Sequence, residues 1–284
     1  MSTAFSFEVF PPKKTMRIET IYNTLGELRN LKPDFISVTY GAGGSVSDSN
    51  TINIANYIKE VCGVKPVAHM PCLYMTKEKV LDTLLHLKQN GVDDILALRG
   101  DAIADSVPVG DFKYASDLVK FIKLNESSIG DGKGFTIYGA CYPEKHPESK
   151  NVIEDISYLK QKVDSGVTHL LSQLFFDNSN FYRFVESARL GGINVPIEAG
   201  IMPVINKKQI ERMASICGAN LPEKFIKVMN KYEDSPEALR DAGIAYAVDQ
   251  IVDLVANGVE GVHLYTMNNS YVAQKINDAV RSLF

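Results

Sequence analysis

The sequence lacks three features that would each place it in a definite class of protein. Its four cysteines form no Cys-x-x-Cys pair, so we do not expect a zinc site or an iron–sulfur cluster carried by this chain alone. It has no excess of basic residues, because the net charge is -4, and nucleic acid is not an expected partner. It has no apolar stretch approaching the roughly 20 residues that span a bilayer. A small molecule is therefore the expected partner.

The first residues also lack the basic segment and apolar run of a secretory signal. We therefore predict a cytoplasmic protein in which Cys62, Cys72, Cys141 and Cys217 are buried free thiols. With 45% hydrophobic and 23% charged residues, the composition is that of a globular protein with a large core. The length of 284 residues is near the roughly 250 typical of a β/α barrel, so we expect a single domain over residues 1–284.

Short runs rich in β-branched and aromatic residues alternate with longer helix-like segments along the chain. This alternation is typical of a parallel sheet built from βα units. Eight runs are present, at residues 5–10, 35–40, 66–72, 94–100, 135–142, 169–176, 195–204 and 262–268. Two more helical segments, 221–232 and 235–258, fall between the last two runs. The sequence therefore predicts an α/β fold, a (β/α)8 TIM barrel with extra helices between strands seven and eight.

An open doubly wound sheet is the alternative fold, because alternation alone does not separate it from a closed barrel. The count of eight strands favours the barrel. A glycine-rich string at residues 41–46 lies between a strand and a helix but lacks the third glycine of the dinucleotide fingerprint. We interpret it as a tight turn.

Glu8 is the residue of the first strand with the clearest chemical implication. Period-two alternation places Phe5, Phe7 and Val9 on one apolar face and turns Glu8 into the barrel. A carboxyl group among aromatic neighbours should favour its protonated form, which suits a general acid. The alternative is a structural ion pair with a lysine or arginine across the barrel, and the pattern leaves both interpretations open.

The triplet at residues 99–101 follows the fourth strand, where a β/α barrel builds its active site. Arg99, Gly100 and Asp101 offer a cation, a close backbone approach and a carboxylate, a set suited to a polar cofactor edge. A simple Arg–Asp pair in a turn is the alternative. The loop at 101–113 is long enough to be a binding loop or lid.

Other polar residues interrupt apolar strands or follow them. Gln173 lies within an apolar run, where its amide either reads a heterocycle such as a pterin or is satisfied within the core. His69 and His146 have no partner at metal-ligand spacing, so we predict hydrogen-bonding roles and no metal site.

Nine strings occur in a fixed order between residues 5 and 268: FSFEVFPP, SVTYGA, LALRGD, YASDL, YPEKHPE, LKQKVDSG, SQLFFD, GIMPV and HLYTMN. Together they resemble methylenetetrahydrofolate reductase, in its short bacterial type with the catalytic barrel only. The resemblance implies a barrel that holds FAD, with hydride passing from flavin N5 to 5,10-methylenetetrahydrofolate to give 5-methyltetrahydrofolate. It also implies that Glu8 is the general acid toward folate N10.

The resemblance assigns further residues by motif. Asp101 would stabilise the cationic iminium formed when the folate ring opens, and Gln173 and Tyr265 would contact the substrate together with Glu8. The implied FAD contacts are Thr39, His69, Arg99, Gly100, Asp101, Tyr114, Ala115, Ala140, Tyr142, His146, Asp155 and Lys162.

Two departures from the family pattern concern the substrate and the electron donor. Asn269 stands where related bacterial enzymes have an arginine expected to hold the substrate, and the segment 203–208 lacks an aromatic residue expected near a nicotinamide. The donor is therefore left open between NADH or NADPH and a reduced iron–sulfur protein. In the second case the chain would be the flavin-binding subunit of an electron-transfer complex. The sequence leaves a monomer and an oligomer equally open.

Overall fold

The computed structural model describes residues 3–12, 15–40, 48–102, 107–130 and 132–284. Eight strands form a closed barrel in which each strand neighbours the next along the chain. The strands are β1 Ala4–Val9, β2 Phe35–Val38, β3 Lys65–Pro71, β4 Asp94–Leu98, β5 Thr136–Cys141, β6 His169–Ser172, β7 Ile197–Ile201 and β8 Gly261–Tyr265. The predicted closed barrel is confirmed, and the alternative of an open sheet is excluded. The glycine-rich string at 41–46 and residues 103–106 of the loop after β4 lie outside the described residues.

A helix follows every strand, as the βα pattern predicts. The helices are α1 Glu19–Leu28, α2 Asp48–Glu60, α3 Lys77–Gln89, α4 Ala115–Asn125, α5 Val152–Asp164, α6 Asn178–Leu190, α7 Lys207–Cys217, α8 Glu223–Tyr232, α9 Pro236–Ala256 and α10 Ser270–Val280. Since α7 is the helix that follows β7, α8 and α9 are the predicted additions. Across the described ranges, no helix is both long and apolar enough to cross a membrane.

Contacts divide the chain into two compact units. The first consists of Met1–Phe7, Cys141–Lys160 and Leu171–Phe284, and the second of Glu8–Ala140 and Gln161–Leu170. Within the second unit, strands β2 to β5 pair in parallel, and Ile36, Val67 and Ile95 of these strands are fully buried. A single domain over residues 1–284 stays a prediction.

The core of the first unit includes a cluster in which side chains from strand ends pack against the added helices. Leu174 and Phe176 follow β6, Val204 follows β7, and all three are buried with Phe225 of α8 and Leu239 of α9. The apolar run predicted as strand six is therefore longer than β6. Its last residues lie beyond the end of the strand and pack against α8 and α9.

Gly243 brings α9 against the chain that follows β7. A Cβ atom at this position would lie 1.8 Å from the Val204 carbonyl oxygen, so only glycine permits the contact. The amino-terminal half of α9 consequently lies beside the carboxyl end of β7. Val204 belongs to the segment 203–208, in which the sequence lacks the aromatic residue expected near a nicotinamide.

All four cysteines are free thiols. Cys72 and Cys141 are buried as predicted, whereas Cys62 and Cys217 are half-buried, because each lies at the end of a surface helix. Burial raises the pKa of the Cys72 thiol to about 12, so this thiol is a poor nucleophile near neutral pH.

Candidate active site

Strand β1 shows the predicted alternation. Phe5, Phe7 and Val9 have no exposed surface, whereas the Glu8 side chain is 18% exposed. Glu8 Oε2 lies 3.4 Å from Nε2 of His69, a side chain of β3 that is 8% exposed. In a β/α barrel, inward side chains of alternate strands share a layer, which explains why these two residues from β1 and β3 meet.

The triplet after β4 takes the backbone path that its glycine predicts. Gly100 has a φ of +85°, and a Cβ there would lie 3.0 Å from the Pro71 side chain at the end of β3. The Arg99 carbonyl accepts hydrogen bonds from the backbone N–H groups of Cys72 and Leu73. Arg99 is half-buried, and Asp101 is exposed and forms no ion pair within the described part of the chain. A simple Arg99–Asp101 pair is therefore not formed.

Lys162 of α5 reaches back over β5. Its Nζ donates to the carbonyl of Ala140 at 2.7 Å. A Cβ at Gly139 would lie 3.2 Å from the Lys162 Cδ, so the glycine leaves room for the lysine stem to cross the strand. The ammonium group is thus held at the carboxyl end of β5.

Three other predicted cofactor residues of the second unit lie where loops begin or end. Thr39 follows β2, and its backbone N–H donates to the Val9 carbonyl at 3.0 Å. Tyr114 and Ala115 lie at the amino-terminal end of α4, where Asp117 Oδ2 accepts from the Tyr114 N–H at 2.9 Å. Tyr114 is 51% exposed, whereas Ala115 is buried.

In the first unit, Asp155 organises the loop after β5. Its Oδ1 accepts hydrogen bonds from the Ser149 hydroxyl at 2.7 Å and from the His146 backbone N–H at 3.2 Å. Asp155 is buried, and these two bonds hold the loop in place. The His146 ring packs edge-on against Tyr142 with centroids 4.7 Å apart. His146 Nδ1 accepts from the Glu148 N–H at 3.1 Å, which leaves Nε2 as the nitrogen that carries the ring proton.

Gln173 and Tyr265 are both tied to the end of β6. Gln173 Oε1 accepts from the Leu174 N–H at 2.9 Å, so only part of its amide is satisfied locally. No described residue accepts from its amide nitrogen, which stays available as a donor. Tyr265 donates to the Ser172 carbonyl at 2.7 Å, and its ring lies over Gly200, where a Cβ would come within 2.8 Å.

The turn after β8 contains the departure at residue 269. Asn269 is the N-cap of α10, and its Oδ1 accepts from the Val272 N–H at 3.1 Å. Met267 and Asn268 have positive φ angles of 51° and 55°, a conformation that is unfavourable for methionine and that asparagine tolerates better. Asn269 thus has a capping role that an arginine side chain would not perform.

A buried polar network was missed from the sequence. The Ser6 hydroxyl lies 3.0 Å from Glu198 Oε2 and 2.7 Å from His263 Nδ1, and all three side chains are buried. Because the single hydroxyl proton goes to the carboxylate, Nδ1 of His263 acts as the donor to Ser6. The signal in the sequence was a single titratable residue in each of the apolar strands β7 and β8, Glu198 and His263.

The closed parallel barrel places this chain in the β/α-barrel class, whose members bind their ligands at the carboxyl ends of the strands. A fold comparison agrees. An uncharacterised protein from Clostridium thermocellum that binds two copies of 5-methyl-5,6,7,8-tetrahydrofolic acid superposes with a TM-score of 0.71 over 99% of this chain and 96% of its own, at 14% identity. At that identity the likeness concerns the fold.

Sequence comparison identifies the family. The model of the family described as methylenetetrahydrofolate reductase matches residues 1–281. The 5,10-methylenetetrahydrofolate reductase of Escherichia coli is 35% identical over 274 residues, covering 95% of this chain and 88% of the relative. Methylenetetrahydrofolate reductase (NADH) 1 of Arabidopsis thaliana is 38% identical over 279 residues, covering 94% of this chain. The chain belongs to the methylenetetrahydrofolate reductase family. It spans about half the length of the plant relatives, 46% in the Arabidopsis case.

Proposed function

We propose that this protein reduces 5,10-methylenetetrahydrofolate to 5-methyltetrahydrofolate with a bound FAD, and that Glu8 supplies the proton. Membership of the family supports the reaction. The observation that carries the proposal within the molecule is the Glu8 carboxyl group, 18% exposed and 3.4 Å from a buried imidazole. A carboxyl group in such surroundings can exchange a proton with a ligand while it stays shielded from bulk water.

The residues of the second unit fit a flavin dinucleotide. Arg99 and Lys162 would bind the pyrophosphate, since each oxyanion needs a cation. Gly100, with its φ of +85° and no side chain, permits a flat ring to approach the backbone. His69, which is buried in β3, would offer its Nδ1 to the flavin, because its Nε2 faces Glu8. When bound and reduced, FAD would supply the hydride from its N5.

Two side chains of the protein would handle the charge changes on the substrate. Glu8 would donate its proton to folate N10, so that the N10–methylene bond breaks and an N5 iminium cation forms. Asp101, exposed and without an ion pair in the described ranges, would keep a negative charge available to stabilise that cation. The available amide N–H of Gln173 would donate to a pterin acceptor atom.

NADH is the electron donor that we propose, since the Arabidopsis relative is named for it. The alternative from the sequence, an iron–sulfur protein as donor, would make the chain a subunit of a larger complex. Anaerobic mixing of the FAD-loaded protein with NADH, and separately with NADPH, distinguishes these cases. Prompt bleaching of the flavin by NADH supports the proposal, and failure of both nucleotides supports a protein donor.

The decisive variant for the reaction is Glu8→Gln, which keeps the size of the side chain and removes the acid. We expect flavin binding and flavin reduction near wild-type rates, because neither uses the proton. Oxidation of the reduced flavin by methylenetetrahydrofolate should slow by at least about 100-fold, the usual contribution of a general acid. The measurement is stopped-flow absorbance of each half-reaction, with 5-methyltetrahydrofolate quantified by chromatography. Unchanged folate turnover in this variant would remove Glu8 from the mechanism.

A further inference from the structure

His69 and Glu8 form a pair that the proposed reaction does not yet use. Nε2 of His69 faces Glu8 Oε2 across 3.4 Å, slightly beyond the 2.7–3.2 Å of a normal N–H to oxygen hydrogen bond. The same nitrogen is buried and forms no hydrogen bond in the described part of the chain. A small reorientation of either side chain, with an approach of a few tenths of an ångström, would complete the bond.

The surroundings of His69 strengthen this pair. In the pairing of β3 with β4, His69 stands opposite Leu96, an apolar residue that is buried on the same face of the sheet. Hydrogen bonds to an ionised group are stronger than neutral ones, and water screens them less in an apolar setting. A bond from His69 to Glu8 would therefore respond strongly to the charge on the carboxyl group.

The two oxygens of Glu8 can then have different roles. If Oε1 carries the proton for folate N10, Oε2 is the oxygen that faces His69. During transfer the Oε1–H bond breaks, an N–H bond forms at N10, and the negative charge stays on the carboxylate. An Nε2–H donor at Oε2 becomes charge-assisted at that moment and stabilises the transition state more than the ground state.

We propose that His69 is a positioning residue for Glu8: its Nε2–H holds the side chain through Oε2 and stabilises the carboxylate left by proton transfer. The role of His69 in proton transfer rests on the proposed function. The distance between His69 and Glu8 does not depend on it. It assigns Nε2 to Glu8 and leaves Nδ1 as the ring nitrogen for any flavin contact.

The test compares His69→Asn with His69→Gln. The glutamine amide places an N–H near the position of Nε2, whereas the asparagine amide is one methylene shorter and does not reach it. We expect His69→Asn to slow the folate half-reaction by about 10- to 100-fold, or about 1.4 to 2.7 kcal/mol at 1.36 kcal/mol per tenfold. His69→Gln should recover most of that loss. Rates are taken on the FAD-loaded fraction, and each folate rate is divided by the rate of flavin reduction by NADH in the same variant, so that a change in the flavin site is counted separately.

A double-mutant cycle shows whether His69 acts through Glu8. In a Glu8→Gln background, His69→Asn should cause no further slowing of the folate half-reaction, because the charge that it stabilises no longer forms. A full additional loss in that background would overturn the proposal, as would equal folate rates for His69→Asn and wild type.

A measurement without turnover separates this inference from the proposed function. The Glu8 carboxyl band is obtained from infrared difference spectra of wild type against Glu8→Gln over a pH series. Loss of the N–H donor should move the Glu8 titration to higher pH in His69→Asn, with recovery in His69→Gln. If methylenetetrahydrofolate is not reduced but this shift is observed, the proposed function fails and the His69–Glu8 interaction stands. If the Glu8 titration in His69→Asn is the same as in wild type, the proposed His69–Glu8 interaction is overturned, whether or not methylenetetrahydrofolate is reduced.

Discussion

The packing of α9 against the segment after β7 predicts that a single added methyl group will lower the stability of the protein by a large amount. In Gly243→Ala, the new Cβ would lie 1.8 Å from the Val204 carbonyl oxygen and 2.7 Å from its carbon. The shorter distance falls about 1.6 Å short of ordinary contact. Both atoms belong to the backbone, so no side chain can rotate away. Overpacking typically costs 1–3 kcal/mol, and we expect about 3 kcal/mol here. At 2–4 °C per kcal/mol, Tm should fall by roughly 6–12 °C.

Gly26→Ala is the matched control. Gly26 lies within α1, and a Cβ there would meet nothing within 4 Å. Alanine is the better helix former by about 1 kcal/mol, so this variant should have a Tm at or above that of wild type. Thermal unfolding followed by far-ultraviolet circular dichroism measures both variants. If Gly243→Ala unfolded at the wild-type temperature or higher, the close contact between α9 and Val204 would be refuted.

Three further changes test other parts of the molecule. Asp101→Asn should slow the folate half-reaction less than Glu8→Gln in stopped-flow absorbance, because it removes a charge and no transferred proton; an unchanged rate would exclude Asp101 from the mechanism. Asn269→Ala should cost about 1 kcal/mol of stability in urea denaturation through loss of the α10 cap, with Asn269→Asp near wild type. Hydrogen bonds from Asn178 and Tyr182 lower the pKa of Asp253, so its contribution to stability is present above the unfolded pKa near 3.8 and is lost as the pH falls through the folded pKa. Urea midpoints of Asp253→Asn and wild type should therefore differ at pH 5 and converge at strongly acidic pH.

The barrel was predictable because its signals are local. Strand runs, glycine terminators and period-two alternation each depend on a few consecutive residues, and the inward position of Glu8 follows from its three apolar neighbours in β1. The length of the sixth strand was not predictable in this way. Leu174 and Phe176 are as apolar as strand residues, but their packing partners lie on α8 and α9, which are distant in sequence.

Roles in the candidate site were less predictable, because they depend on which atoms meet after folding. Asp155 was expected to contact the cofactor, which stays a prediction, and the structure adds that its Oδ1 holds the loop through Ser149 and the His146 N–H. Asn269 was interpreted as a lost substrate contact, and the structure adds its role as a helix cap. In both cases the residue type was informative, whereas the partner was set by a turn whose path the sequence does not reveal.

Strand β1 carries two inward polar residues, and their bonding separates a structural role from a chemical one. The Ser6 hydroxyl is fully buried and is satisfied by Glu198 and His263, so a ligand could reach it only by breaking a closed network. Glu8, two residues later, is 18% exposed beside His69, whose Nε2 is unbonded among the described residues. A buried polar atom without a bond is costly unless something completes it. Since folding alone would favour satisfying that nitrogen, its availability beside a carboxyl group is the feature that most directly favours chemistry at Glu8 over an ion pair serving only stability.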